Sequence, residues 1–484
     1  MLRGGSVVPV VLTTIVLLGS GAAVAEVPSG ERLQQGVAEG SASVLSLPWS
    51  LQEIAGDIGD FSHVAVAVDS HTGDIFIAYY VSGTGDLWLA RTVTQDGNCG
   101  PGDTWKCQAI HTAGDVGRYC SIAVRSNPGG QAEFIIPYYD ATNERLLYFR
   151  GQAYDYYITG LVSILDSGFT ASDRTGMYTA VQYDSNGDPW IAYQNETYGG
   201  SIGTHRMIAR WVGDGSGNCG ESVDFDDWSC YDLYSNGYSQ SFSSTSMTLD
   251  DQGRPVVAFY DDHLNYPVLA RYLGAGGNCG SGSAWRCFSI APKPGDSDIG
   301  RHVVPLVVGN SVSAFYQNSS TGTLERASYV YPASGNCGWS GVTLAWEWRC
   351  DTMSSMDATV ASRSLSVASD ASGYPIVAFQ YGEDPGPALL KVARPVESPE
   401  IDDAGNCGPS NSWYCRTIDG GPNRTEAESV SLFVDTTGGG FIAYHEWDDY
   451  HYEHNLKLAT LPAVVVFSDG FESGNSSAWS STSP

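Results

Sequence analysis

The chain has 484 residues, with 54 Asp and Glu against 24 Lys and Arg, a formal net charge of −30. Charge of that sign argues against nucleic acid and anionic membrane surfaces as partners, and suits either solubility or an affinity for divalent cations. The 57 glycines and the near absence of helical periodicity exclude a helical bundle, and short alternating runs point to an all-β chain.

In chain order, Arg3, an apolar run from Val7 to Leu18 and Ala23-Val24-Ala25 have the pattern of a secretory signal peptide, residues 1–25, so a mature chain is expected from Glu26. Residues 26–44 form a polar linker. No later stretch approaches the roughly 18 to 20 apolar residues of a membrane span, so a secreted product, extracellular or periplasmic, is expected. Next, Trp49-Ser50-Leu51-Gln52-Glu53-Ile54 matches the fourth strand of a unit that recurs downstream, as in Trp105-Lys106-Cys107-Gln108-Ala109-Ile110, yet precedes any first strand.

The recurring unit is clearest from Ser244 to Ile290. Four short β-branched and aromatic segments, 244–249, 255–260, 267–273 and 285–290, are interrupted by Gly277-Asn278-Cys279-Gly280 before Trp285-Arg286-Cys287. The same turn and Trp-x-Cys recur as Cys99 with Cys107, Cys219 with Cys230, Cys337 with Cys350 and Cys407 with Cys415. Ten of the 11 cysteines therefore pair within units, as disulfides of an exported protein, and Cys120 is left over. A zinc site is disfavoured because no histidine keeps step with these cysteines. Between the first and second pairs lies a unit that lacks turn cysteine and Trp-x-Cys together, with strands 121–124, 133–139, 145–150 and 161–165.

A period near 60 residues with four strands per unit predicts a β-propeller. The blades are expected at 61–110, 118–165, 174–233, 240–290, 301–353, 363–418, and 428–461 completed by 47–54. That makes an all-β, seven-bladed β-propeller of four-stranded blades, spanning 45–461 and closed by its N-terminal strand; six or eight blades are the alternatives. Residues 462–484 form a C-terminal tail in which Val464 to Phe467 offers one further outer strand. Asp69, Asp184, Asp250, Asp370 and Asp435, each followed by a glycine, read as hairpin turns, with calcium loops as the weaker alternative. Beyond that option no cofactor or metal is expected. Small residues recur in strand two (Ala78, Ala192, Ala258, Ala314, Ala378, Ala443), with an anomalous Pro137 in their place in the second blade. Arg91, Arg150, Arg210, Arg271 and Arg394 end strand three, and pairing with the aspartate turns is expected.

The opposite face gathers candidate ligand-binding residues. His63, Arg118, Arg174, Arg301 and Arg363 precede the innermost strands. Tyr80, Tyr139, Tyr260, Asp261, Tyr316 and His445 leave strand two. Arginines converging on a channel mouth would focus an anion, and tyrosines offer flat platforms with a polar tip. Asp115, Asp173, Asp296 and Asp298 lie close before these arginines, and local ion pairs are the competing expectation.

Units of the form Asp-x-x-Gly-x-Pro-hydrophobic-Ala-Tyr-Tyr, followed by Leu-x-x-Ala-Arg, resemble the repeats of secreted bacterial sialidase-like (BNR-type) propellers over residues 47–461. The resemblance implies a carboxylate-binding arginine set, for which Arg118, Arg174, Arg301 and Arg363 are the candidates, with a Tyr activated by Glu and an acidic Asp. That family's Ser-x-Asp-x-Gly-x-x-Trp box is absent, and seven units replace six. The tail segment Phe467 to Gly474 resembles a short C-terminal motif of exported bacterial proteins. The reading reached is a monomeric extracellular binding propeller for a carbohydrate or another acidic small ligand, with no catalytic residues assigned. The alternatives are a sialidase-like glycoside hydrolase and a structural propeller for protein partners.

Overall fold

In the computed structural model, residues 49–461 are described apart from 61–62, 128, 156, 169–172, 198–202, 214, 222–225, 236–243, 262, 291–298, 331–333, 341–343, 356–363, 383–387, 399–403, 421–423 and 449. The expected signal peptide, linker, tail and extra outer strand at Val464 to Phe467 lie outside these residues, as does Arg363.

Seven antiparallel blades run from inner to outer strand as follows. Blade 1 comprises Val64–Val68, Ile75–Val81, Asp86–Thr92 and Trp105–His111. Blade 2 has an inner strand in two pieces, Val116–Arg118 and Ala123–Ser126, then Ala132–Asp140, Arg145–Ala153 and Ile158–Asp166. Blades 3 and 4 begin at Arg174–Tyr183 and Thr245–Leu249, and blades 5 and 6 at Ile299–Val308 and Leu365–Ser369. Blade 7 contributes Arg424–Val434, Gly440–Asp448 and Glu453–Leu461, and its fourth strand is Ser50–Ala55, paired antiparallel from Ser50 opposite Thr460 to Ala55 opposite Leu456. The ring therefore closes through its own first strand, which leaves no free edge at the join.

Packing repeats the same logic. Seven apolar clusters of described residues each join two neighbouring blades, one per seam. The tryptophan of each Trp-x-Cys packs onto the preceding blade: Trp228 joins the cluster with blade 2, Trp285 that with blade 3 and Trp348 that with blade 4. Trp49 does the same for blade 7, entering the seam with blade 6. The six strand-two alanines are fully buried in these seams, where larger side chains would push blades apart.

All five expected disulfides form, Cys99–Cys107, Cys219–Cys230, Cys279–Cys287, Cys337–Cys350 and Cys407–Cys415. Beside each, the asparagine of the turn clamps the second cysteine's backbone. In blade 4, Asn278 Oδ1 accepts from Cys287 N at 2.7 Å and Nδ2 donates to its carbonyl at 3.1 Å. Asn98, Asn218, Asn336 and Asn406 repeat that pair of bonds. The hairpin aspartates also behave as turn residues. Asp250 Oδ1 accepts from Gln252 N and Arg254 N, and Asp69, Asp184, Asp370 and Asp435 cap their own turns likewise.

Three expectations need correction. Arg-to-Asp pairing is not repeat-wide: Arg271 reaches Asp250 at 2.9 Å, but Arg150 and Arg210 lie over the rings of Trp211 and Trp190, and Arg91 donates to backbone carbonyls. Blade 2's outer strands run longer than 145–150 and 161–165, to nine residues each, because no disulfide turn interrupts their hairpin. Pro137 stops being anomalous once the split inner strand is seen, since its missing N–H faces the break between Arg118 and Ala123.

Candidate functional site

The seven innermost strands enclose a central cavity of about 410 Å3. An innermost strand normally exposes an unpaired backbone edge, and here hydroxyls of one blade satisfy the next. Ser429 and Ser431 of blade 7 accept from Val64 N and Val66 N of blade 1 at 3.1 and 3.0 Å. Ser364 and Ser366 of blade 6 accept from Val430 N and Leu432 N at 2.6 and 2.9 Å. The Ser-x-Ser spacing is the sequence signal for these ties, because alternate residues of a strand share a face. Cys120, the free cysteine, lies buried in this wall, its thiol donating to the His63 carbonyl at 3.7 Å and its pKa pushed up to about 12 by burial.

At the mouth, three successive blades deliver rings to one patch. The lead-in to the inner strand carries Gly117-Arg118-Tyr119 in blade 2 and Gly176-Met177-Tyr178 in blade 3. Both tyrosines have left-handed backbones, φ 56° and 51°. Such a backbone is uncommon for a bulky residue and is held here by a bulge. A Cβ on Gly117 would sit 2.9 Å from Leu87 Cα of the preceding blade, and one on Gly176 2.7 Å from Leu146 Cα, so only glycine allows this approach. The result is a row of rings, half-buried at His63, Tyr119 and Tyr178 and buried at Tyr139. His63 meets Tyr119 edge-on at 4.5 Å, Tyr119 meets Tyr178 at 4.4 Å, and Tyr139 lies 6.2 Å from Tyr119. Burial first, then the charge of Arg118 and the nearby His445, holds the His63 pKa down at about 4. Burial likewise raises the phenols of Tyr139 and Tyr178 above their ordinary value.

Both arginines visible at this patch are already paired. Arg118 Nε donates to Asp115 Oδ1 at 3.0 Å, its Nη2 bonds Asp115 Oδ2, and Nε also reaches the Tyr80 hydroxyl at 3.3 Å. Tyr80 in turn donates to Asp115 at 2.8 Å. Arg174 Nη2 bonds Glu196 Oε2 at 2.5 Å, a partner from strand two. Their net charge is cancelled locally, but N–H and hydroxyl groups remain. The backbone of Arg301 lies in the inner strand of blade 5.

The other candidates are placed inside the blades. Asp261 accepts from His263 N, Leu264 N and the Tyr234 hydroxyl, closing its hairpin. The Tyr260 hydroxyl donates to Asn265 at 3.0 Å. Tyr316 is fully buried and donates to Glu325. His445 is fully buried and stacks on His454 at 5.0 Å, with Nε2 to Nδ1 3.0 Å.

Beyond His454 the blade 7 hairpin forms an exposed aromatic projection. Trp447 packs on His454 at 4.2 Å and on Tyr452 at 6.2 Å, while Tyr450 and Tyr452 are 76% and 77% exposed. Asp448 pins the turn by accepting from Tyr450 N and from His451. Sequence reasoning missed Tyr119, Tyr178, Tyr450 and Tyr452; the first two carry a signal in the shared Gly-x-Tyr. Among the described residues no group of three or more His, Cys, Asp or Glu comes together as a metal site. No described helix is long and apolar enough to cross a membrane.

The sequence matches no protein-family model and no curated protein. Solved structures similar to it include AofleA from Arthrobotrys oligospora, 10% identical over 83% of this chain and 84% of that one at a TM-score of 0.39. The fucose-specific lectin from Aleuria aurantia is 12% identical over 74% of this chain and 98% of that one, TM-score 0.38. Polysaccharide lyase Uly1 is 11% identical over 83% and 90%, TM-score 0.41.

Proposed function

We propose that this chain is an exported carbohydrate-binding propeller that takes a glycan at the channel mouth. One observation carries the reading: half-buried rings of His63, Tyr119 and Tyr178, backed by the buried Tyr139, form a continuous row beside arginines whose charge Asp115 and Glu196 already cancel. Flat rings suit the C–H face of a sugar. Arginine–carboxylate pairs offer donors and acceptors to hydroxyls without the net charge that would select a carboxylate. The exposed Trp447–Tyr452 projection extends the same face outward. Five disulfides fit an oxidising compartment.

The test is a glycan panel probed with residues 26–484. Binding that falls at least tenfold in Tyr119→Ala, with an unchanged melting temperature, supports the reading. Absence of binding across the panel contradicts it. A fluorogenic sialoside gives the second answer, because turnover abolished by Arg301→Ala would replace the binding reading with a hydrolase.

A further inference from the structure

The seam between blades 1 and 2 differs from the others on the face opposite the mouth. Blade 2 has no Gly-Asn-Cys-Gly turn, so its third and fourth strands meet in a tight hairpin closed by Tyr154 N donating to Tyr157 O at 2.9 Å. The two tyrosine rings stack at 4.7 Å, nearly parallel at 9°, and Tyr157 is 42% exposed. Tyr154 is held by its hydroxyl on Gln152 at 3.0 Å. Between this hairpin and blade 1 lies a cavity of about 400 Å3, also lined by Thr72, Asp74, Arg91 and Gln131. That size falls within the roughly 300 to 1,000 Å3 usual for small-ligand pockets.

Arg91 is the cation of this pocket. It is 3% exposed, and Nη2 donates to the carbonyls of Tyr154 and Asp155 at 2.6 and 3.3 Å, but the buried Nε has no acceptor among the described residues. The equivalent Arg271 of blade 4 bonds Asp250, and Arg150 and Arg210 lie over tryptophan rings, the Nε of Arg210 also being buried without an acceptor among the described residues; Arg91 differs in facing a cavity. Leaving a buried donor of a cation short of an acceptor is costly. An occupant of the cavity can supply one.

We infer that this cavity is a second ligand site, for a neutral sugar residue. Its chemistry is specific. Arg91 donates, Asp74 and Asp155 accept from hydroxyls, and the Tyr154–Tyr157 pair presents a flat apolar face. Two carboxylates against one guanidinium leave the pocket negative, in a protein of net charge −30, and that excludes an anionic sugar. The site shares no residue with the mouth, so either one can be broken alone.

The experiment is saturation-transfer NMR on the protein from Glu26, with glucose, galactose, mannose, xylose and N-acetylglucosamine as neutral probes and glucuronate as the anion. At least one neutral sugar is expected to take up saturation. That signal should fall at least tenfold in Tyr157→Ala and in Asp74→Asn and be unchanged in Leu344→Ala, an exposed residue of blade 5 that lines neither site. Glucuronate should bind at least tenfold more weakly. Tyr157 is exposed enough for its variant to fold, so it decides the matter if Asp74→Asn does not. The inference is overturned if no neutral sugar is saturated, if Tyr157→Ala binds like wild type, or if glucuronate matches the best neutral sugar. Loss in Tyr452→Ala alone would place the sugar at the mouth, sparing the proposed function while removing this second site.

Discussion

Blades 2 and 4 share one four-strand plan and close their outer hairpin by different means. In blade 4 a disulfide, the Asn278 clamp and the fully buried Trp285 lock strands three and four together. In blade 2 the strands simply run on, nine residues each, and a pair of stacked tyrosines occupies the turn. The difference teaches how a repeat protein makes room for function. Cross-linked modules are full of obligatory contacts, with the indole of each Trp-x-Cys filling a seam, whereas a hairpin held by longer strand pairing can spare its turn residues for a cavity.

That contrast can be broken at several points. The largest effect is expected from Trp285→Ala, which empties the seam between blades 3 and 4 and should cost about 3 to 5 kcal/mol in denaturant unfolding. A loss below about 1 kcal/mol would mean that the module is not the anchor of its blade. Replacing Cys279 and Cys287 together by serine should cost about 2 to 3 kcal/mol, the range for a short closed loop, while blade 2 keeps its hydrogen-exchange protection.

Acid sharpens the comparison further. His63, next to blade 2, is neutral in the fold down to about pH 4 but takes up a proton near 6.5 when unfolded. The unfolded state therefore binds more protons between those values, and stability falls as pH drops from about 6.5 to 4, by up to about 3 kcal/mol. Asp250 of blade 4 has its pKa lowered to about 2 by Arg254 and Arg271, against the desolvation that opposes them. Its contribution is complete above about pH 4 and is lost as pH falls towards 2. Exchange measured at pH 5 should therefore loosen the mouth beside blades 1 and 2 and leave the Asp250 hairpin intact. His63→Asn should flatten the melting-temperature profile between pH 6.5 and 4, and an unchanged slope would count against this assignment. Smaller still, Asn278→Ala removes two backbone clamps and should cost about 1 to 2 kcal/mol. Tyr157→Ala, which touches no locked module, should change stability by less than about 1 kcal/mol.

Much of the scaffold was legible because its determinants are local and repeated. Trp49 betrays its place as a displaced fourth strand by matching Trp105, and the paired loss of cysteines in blade 2 follows from their bonding. The site was less legible for a physical reason. Tyr119 and Tyr178 reach the mouth only because a bulge drives their backbones left-handed against Leu87 and Leu146 of the preceding blades, a relation between units that no single unit shows. Arg91 and Arg271 occupy the same repeat position yet meet different partners, since blade 1 faces the tyrosine hairpin. Equal position in a repeat did not mean equal environment.

The central claim, a glycan seated on the mouth's row of rings, is tested most directly by hydrogen-exchange mass spectrometry of the wild-type protein with the tightest glycan from the panel. The account predicts new protection at residues 116–120, 174–180 and 444–454. Protection confined to the disulfide turns at the ring's outer edge, or none under saturating glycan, would contradict it.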